Sequence, residues 1–383
     1  YYSMKKIFDG VVPFRSKLFM ILFGLTVIQI EATAQVEVFA PDRQDVKQQM
    51  RAVADYQIKN PTKSAGKSKG YPNGWVRSAF YIGVMAAHEA TGDAFYLSNA
   101  RNWAQSTNYA MAPRWRHADD HACGSVYLSL YSNSPNDKHI RAVRAVYDKL
   151  IANPKPGRED WWWCDALFMS PPTLAQLGGV TGNKKYHKFL HEMYWDTAEY
   201  LFDKEAALFY RDQRYFFHRS ENGEKVFWSR GNGWVIAGLP RIISNLPEND
   251  KQRESYIQLF KTLASSLMKL QGVDGFWRSS LHDPDEFPNP ESSGTGFITY
   301  ALAWGVNQGY LDKDLYEPVV FNGWSALDRA VHGNGKIGWV QDIGVDPKEV
   351  SRDDTHAYGA GAFLLAGSEI IKYLEKTDAD IGY

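Results

Sequence analysis

The stretch Leu174–Leu190 reads LAQLGGVTGNKKYHKFL. An apolar segment runs into Gly182, and Asn183 follows at once. Glycine is the residue that most readily takes the left-handed conformation that ends a helix, and asparagine is among the best first caps of the next. Thr181-Gly182-Asn183 therefore reads as the corner of a helical hairpin. The same punctuation recurs at Thr91-Gly92-Asp93. Working outward, apolar residues fall at helical spacing at Val46, Met50, Val53 and Tyr56, and again at Tyr256, Phe260, Leu263, Leu267 and Leu270. Helices are expected near 42–58, 75–91, 93–109, 120–132, 137–152, 164–178, 183–202, 233–246, 250–270, 295–308, 314–331 and 356–374. Loops rich in Gly, Pro, Asn and Asp separate them, such as NPTKSAGKSKGYPNG and HDPDEFPNPESSG. About twelve helices in pairs predict an all-α fold, an (α/α)6 barrel of six helical hairpins closed into a toroid. An open solenoid of hairpins is the alternative. It would need a self-similar repeat, and the hairpins resemble one another only weakly. One stretch, Leu208–Gly231 (LFYRDQRYFFHRSENGEKVFWSRG), places Asn222-Gly223 between aromatic runs, which predicts a short inserted β-hairpin or long loop.

The 383 residues are 44% hydrophobic and 23% charged with a formal net charge of −1, which gives no basic surplus for nucleic acid. Aromatic residues make up 14%, including 13 Trp and 22 Tyr. These rings pair an apolar face with a polar edge, as sugars do, and so favour a carbohydrate ligand. At the N-terminus, Met4, Lys5 and Lys6 precede the apolar run LFMILFGLTVIQI and the small-residue motif around Ala32 and Ala34. Residues 1–34 are expected to be a secretory signal peptide, with Tyr1–Ser3 an extension and cleavage after Ala34. Residues 35–383 are then one catalytic domain. No Cys follows the apolar run, so a soluble exported protein, periplasmic and monomeric, is expected. The two cysteines, Cys123 and Cys164, lie in apolar contexts that suit buried free thiols better than a disulfide. The ten His are scattered without ligand spacing, so neither a metal nor another cofactor is expected.

Residues at inner-helix N-termini would ring the funnel of such a toroid. In Arg114–Gly124 (RWRHADDHACG) two adjacent carboxylates, Asp119 and Asp120, precede an apolar segment. One of them suits a helix cap, and the other invites a catalytic role, because like charges raise a carboxyl pKa. In Trp161–Pro172 (WWWCDALFMSPP) Asp165 is either a cap or an acid whose pKa the tryptophans raise by desolvation. In Phe227–Leu239 (FWSRGNGWVIAGL) Arg230 lies between Trp228 and Trp234. That grouping suits an anionic sugar, with a structural cation–π contact as the alternative. Arg211, His218 and His356 are weaker candidates.

The motifs WWWCDALFMSPP, LFYRDQ, FWSRGNGWVIAGLPR, ESSGTGFITYALAWGVNQGYL and YGAGAFLLAGSEI, in this order, resemble the unsaturated uronyl hydrolases of glycoside hydrolase families 88 and 105, with the rhamnogalacturonyl branch of family 105 closer. The similarity runs from about Asp42 to Leu374. The resemblance implies the (α/α)6 barrel. It also implies hydration of a C4=C5 vinyl ether in the terminal 4,5-unsaturated uronic acid that polysaccharide lyases leave on oligosaccharides. It makes Asp165 the general acid/base and Asp119, or Asp120, the second carboxylate. It places Trp228, Arg230 and Trp234 in the substrate cleft, and puts Arg211 where relatives often carry a His; Trp163 is a further candidate for substrate binding. An inverting glycosidase or a polysaccharide lyase on the same toroid, and a non-catalytic glycan-binding protein, are the competing readings.

Overall fold

Among the described residues, six of the long helices are apolar nearly all round, and six bury one face only. A helix of the first kind has to be covered on every side, and one of the second kind belongs on a surface. The computed structural model describes residues 40–61 and 71–381, within one compact unit, Val38–Tyr383. The expected signal peptide and its cleavage site lie outside the described residues. The wholly buried kind comprises α2 (Trp75–Thr91), α4 (Ala122–Asn133), α8 (Pro171–Thr181), α10 (Ser229–Ile243), α12 (Ser292–Asn307) and α14 (Ala357–Ile381). The amphipathic kind comprises α1 (Arg43–Lys59), α3 (Ala94–Ser106), α5 (Asp137–Ala152), α9 (Lys184–Leu201), α11 (Arg253–Met268) and α13 (Lys313–Ala330). Two one-turn helices, α6 (Gly157–Asp160) and α7 (Ala166–Met169), lie between α5 and α8.

The apolar helices pack in the ring α2–α4–α8–α10–α12–α14, and α14 returns to α2. Each amphipathic helix lies outside its partner, α3 on α2, α5 on α4, α9 on α8, α11 on α10, α13 on α12 and α1 on α14. This is an (α/α)6 barrel. Its closing contact is built on two glycines, since a Cβ on Gly83 of α2 would collide with the carbonyl of Gly361 in α14, and one on Gly361 would collide with the carbonyl of Ala79. The hairpin corners are as the punctuation suggests. Gly92 and Gly182 are left-handed (φ 68° and 65°), and the Asp93 and Asn183 side chains accept the Phe95 and Lys185 N–H groups. Because inner and outer helices alternate in direction, the six inner helices all start at one end of the barrel.

One expectation needs correction, and for Leu208–Gly231 the long loop is the alternative observed. The helix expected over 164–178 is two helices, broken at Ser170, because Pro171 and Pro172 bring no N–H to the first turn of α8. The expected hairpin around Asn222-Gly223 is a tight turn (Gly223 φ 90°) with one isolated bridge, Arg219 to Lys225. The paired strands lie earlier, Phe202–Asp203 with Leu208–Phe209, directly after α9. Cys123 and Cys164 are buried free thiols.

Candidate active site

The N-terminal ends of the inner helices bring together segments far apart in sequence. Before α4, a 3-10 turn (Ala118–His121) carries both adjacent aspartates. They have different surroundings. Asp120 is fully buried, and its carboxylate takes the Arg114 backbone N–H at 2.7 Å and the guanidinium through Nε and Nη2. A carboxylate so fully engaged has no oxygen left for chemistry. The Asp119 side chain keeps 16% of its surface, with Arg114 Nη2 at 3.7 Å and His117 Nδ1 at 3.6 Å from Oδ2. Burial pushes its carboxyl up to about 7. Arg114 opposes the shift, and the charges of Asp165 and Asp120 reinforce it. Neither aspartate caps a helix through its side chain.

Asp165 precedes α7, and its side chain makes no capping bond. Its Oδ2 lies 3.4 Å from Arg211 Nε and 3.7 Å from Cys164 Sγ. The tryptophans divide their work. Trp161 is core, Trp163 packs at 4.6 Å on His117, and Trp162 is 43% exposed with the Arg211 guanidinium 5.2 Å from its ring centre. Asp165 is thus not simply a carboxyl among tryptophans. A guanidinium faces it, held there by Asp212 at 2.8 Å and by the Cys164 N–H bonded to the Arg211 carbonyl. His117, half-buried against Trp163 and near the cations Arg114 and Arg211, is pushed down to about 4, with burial the largest cause. It is a neutral imidazole with no hydrogen bond at Nδ1. Asp119, Asp165, Arg211, His117 and Trp163 therefore form one cluster. A carboxyl able to hold a proton near neutral pH, a second carboxylate and a fixed cation can protonate and hydrate, or hydrolyse, a bound anionic sugar.

Arg230 departs from expectation. It is 1% exposed, sandwiched between Trp228 (4.4 Å) and Tyr358 (4.8 Å). Its Nη1 donates to the Gln341 carbonyl and its Nη2 to the Asp342 carbonyl, both at 2.8 Å. The guanidinium pins the 331–356 loop and leaves no face for a ligand. Trp228 does the same through Nε1 to Gln341 Oε1 at 2.8 Å. Trp234 is packed on Phe297 and Phe168 inside the barrel. All three side chains are buried and committed to contacts within the protein. His218 is exposed, edge-on to Tyr215. His356 starts α14, with Nε2 2.9 Å from Asp342 Oδ1 and its ring stacked on Tyr358, which in turn stacks on Trp75.

Sequence reasoning missed His117, although it stands two residues before Asp119. It also missed Glu291. This fully buried carboxylate caps α12 through Ser293 N and Gly294 N and accepts from Gln341 N, tying the loop to the helix.

The Glycosyl Hydrolase Family 88 model matches residues 48–374. An unsaturated 3S-rhamnoglycuronyl hydrolase of Formosa agariphila is 40% identical over 79% of this chain and 86% of its own. One of the same name from an Alteromonas species (strain LOR) is 42% identical over 78% of this chain and 77% of its own. A solved structure described as a polysaccharide lyase superposes with a TM-score of 0.80 at 35% identity, over 87% of this chain and 98% of its own. The family match spans nearly the whole barrel and includes every residue of the carboxylate cluster. The chain belongs to glycosyl hydrolase family 88 and is a glycoside hydrolase.

Proposed function

We propose that this enzyme removes the terminal 4,5-unsaturated uronic acid from an oligosaccharide in which that sugar is joined to rhamnose. The observation that carries the proposal is the Asp119–Asp165 cluster, in which a buried carboxyl keeps its proton to about pH 7 beside a second carboxylate and a fixed guanidinium. Protonating an alkene carbon needs an acid still protonated near neutral pH. The names of the two curated relatives support the rhamnose-linked uronyl substrate.

In the proposed sequence the substrate carboxylate engages the Arg211 guanidinium, which lies beside Asp165. That contact draws the guanidinium's charge from Asp165, which takes up the proton held by Asp119. Asp165 delivers it to C4. The positive charge left at C5 is shared with the ring oxygen. Water adds to C5 and returns a proton to the Asp165 carboxylate. The C5 hemiketal opens to a ketone, the freed oxygen leaves a hemiacetal at C1, and its collapse to an aldehyde releases the rhamnose-bearing alcohol. His117, neutral beside Asp119, keeps that pocket from gaining another charge. The chain works outside the cytoplasm, after removal of residues 1–34.

The test mixes the protein with lyase-generated oligosaccharides and follows the ultraviolet absorbance of the C4=C5 bond. Loss of absorbance with release of a rhamnose-ended product is expected, and Asp165→Asn should abolish it while still binding substrate. Retention of more than about a tenth of the activity would refute the role of Asp165, since general acid–base catalysis contributes on the order of a hundredfold or more. A rise in absorbance on an intact uronic polysaccharide would instead identify a lyase, the reading favoured by the superposed structure of that description. Cleavage of a saturated glycan alone would identify an inverting glycosidase.

A further inference from the structure

The opposite end of the barrel, where the inner helices finish, holds a second cavity of about 370 Å³ that the reaction above does not use. Every inner helix supplies a polar group to its wall: Glu89 from α2, Ser129 from α4, Gln176 from α8, Arg241 from α10, Tyr300 from α12 and Lys372 from α14. A purely structural polar network would pair these groups with one another, and a polar atom buried in such a wall is costly if left unpaired. Three of them are not paired in that way. Glu89 is exposed at the rim of the cavity and makes no hydrogen bond or ion pair among the described residues. Tyr300 is 6% exposed, and its hydroxyl, which is not sealed from solvent, makes no hydrogen bond among the described residues. Arg241 spends Nη2 on Ser125 and its flat face on Phe168 at 4.8 Å, and leaves Nη1 without a hydrogen bond. Burial pushes Arg241 down to about 10, and the nearby Tyr300 and Glu89 oppose the shift, so the three groups share one space. By contrast, Gln176 is tied to Ser125 and Ser129, and Glu369 to Lys372 and Asn307.

The chemistry of the wall selects the ligand. The two carboxylates, Glu89 and Glu369, are balanced by Arg241 and Lys372, so the wall is neutral overall. The helix ends that converge here are C-terminal, and their partial negative charge disfavours an anion. A cation would face Arg241 and Lys372. What remains is a neutral molecule that donates to a carboxylate, exchanges a hydrogen bond with a phenol and accepts from a guanidinium, while Met85 and Trp304 offer an apolar side. The volume is at the small end of the range for ligand pockets. We propose that this cavity is a second binding site, distinct from the carboxylate cluster, for a neutral polyhydroxylated molecule of one sugar ring.

The test measures binding rather than turnover, so it stands whether or not the proposed reaction is right. L-rhamnose and D-glucose are titrated calorimetrically into the wild-type chain and into Asp165→Asn, Glu89→Gln and Ala86→Phe variants, with D-glucuronate and D-glucosamine as charged controls. At least one neutral sugar should bind with a Kd of about 1 mM, as suits so small a ligand. Asp165→Asn should not change it. Glu89→Gln, which breaks no contact with the protein, should weaken it about tenfold or more through loss of a charge-assisted hydrogen bond. Ala86→Phe, which fills the cavity, should abolish it. A crystal soaked with that sugar should show it between Glu89, Arg241 and Tyr300. Absence of saturable binding, binding only by the charged sugars, affinity unchanged in Glu89→Gln, or a soaked crystal with water alone in the cavity would overturn the proposal.

Discussion

Replacing Asp119 by asparagine should stabilise the protein at alkaline pH while destroying its activity. The native state pushes the Asp119 carboxyl up from 3.8 to about 7. An unfolded aspartate titrates near ~3.9. The native state therefore binds this proton more tightly than the unfolded state does. Stability falls as pH rises from about 4 to about 7, where the unfolded chain has ionised and the native carboxyl has not, and stays low above that window. Three pKa units at about 1.36 kcal/mol each make the cost about 4 kcal/mol at pH 8. Asparagine keeps the shape and has nothing to ionise. Asp119→Asn should thus exceed the wild type by up to about 4 kcal/mol at pH 8, the attraction to Arg114 being already contained in the net shift, and match it within about 1 kcal/mol near pH 4.5. Urea unfolding of both proteins at the two pH values reads the difference directly, because every other titrating group cancels. A variant-minus-wild-type difference that is the same at both pH values would refute the account of Asp119. Turnover by the variant should fall by about a hundredfold or more.

The alkaline limb of kcat/KM in the wild type should lie near pH 7, as Asp119 loses its proton, and His117→Arg, which puts a permanent cation on the residue beside that carboxyl, should move the limb down by about one unit. An unmoved limb would detach the pH profile from Asp119. Arg211→Gln should raise KM for the uronate substrate about tenfold or more, through loss of a charge-assisted contact, and steady-state kinetics on a substrate with an esterified uronate should show a smaller change. Gly83→Ala forces a methyl into the Gly361 backbone at the ring-closing contact, and should cost about 1–3 kcal/mol or more in denaturant unfolding. A neutral result there would mean that α2 and α14 can part cheaply.

The number of helices, their pairing and their limits were legible because each rests on local chemistry. Gly92 and Gly182 end helices, Asp93 and Asn183 start them, and the apolar spacing marks their faces. Most predicted boundaries lie within a few residues of the observed ones, and the main exception, near 164–178, turns on how two prolines are accommodated. The carboxylates were legible as residue types, since a charged group beside an apolar run calls for a reason wherever it falls.

Their roles were decided elsewhere. Asp119 and Asp120 are neighbours in the chain and equal in type, and nothing local separates them. Arg114 does, by folding back six residues to take both oxygens of Asp120 and leave Asp119 facing Asp165. Arg230 reads as a substrate ligand in its tryptophan-rich stretch, yet two carbonyls more than a hundred residues away claim its guanidinium. Arg211 meets Asp165 only because the 202–228 loop folds onto the Cys164 backbone. The far cavity takes one group from each of six helices that no stretch of sequence joins. Local order follows from the conformational preferences of neighbouring residues, and the sequence by itself determined that much. Which polar group is satisfied and which is left free depends on partners brought in from a distance, and only the closed barrel decided it.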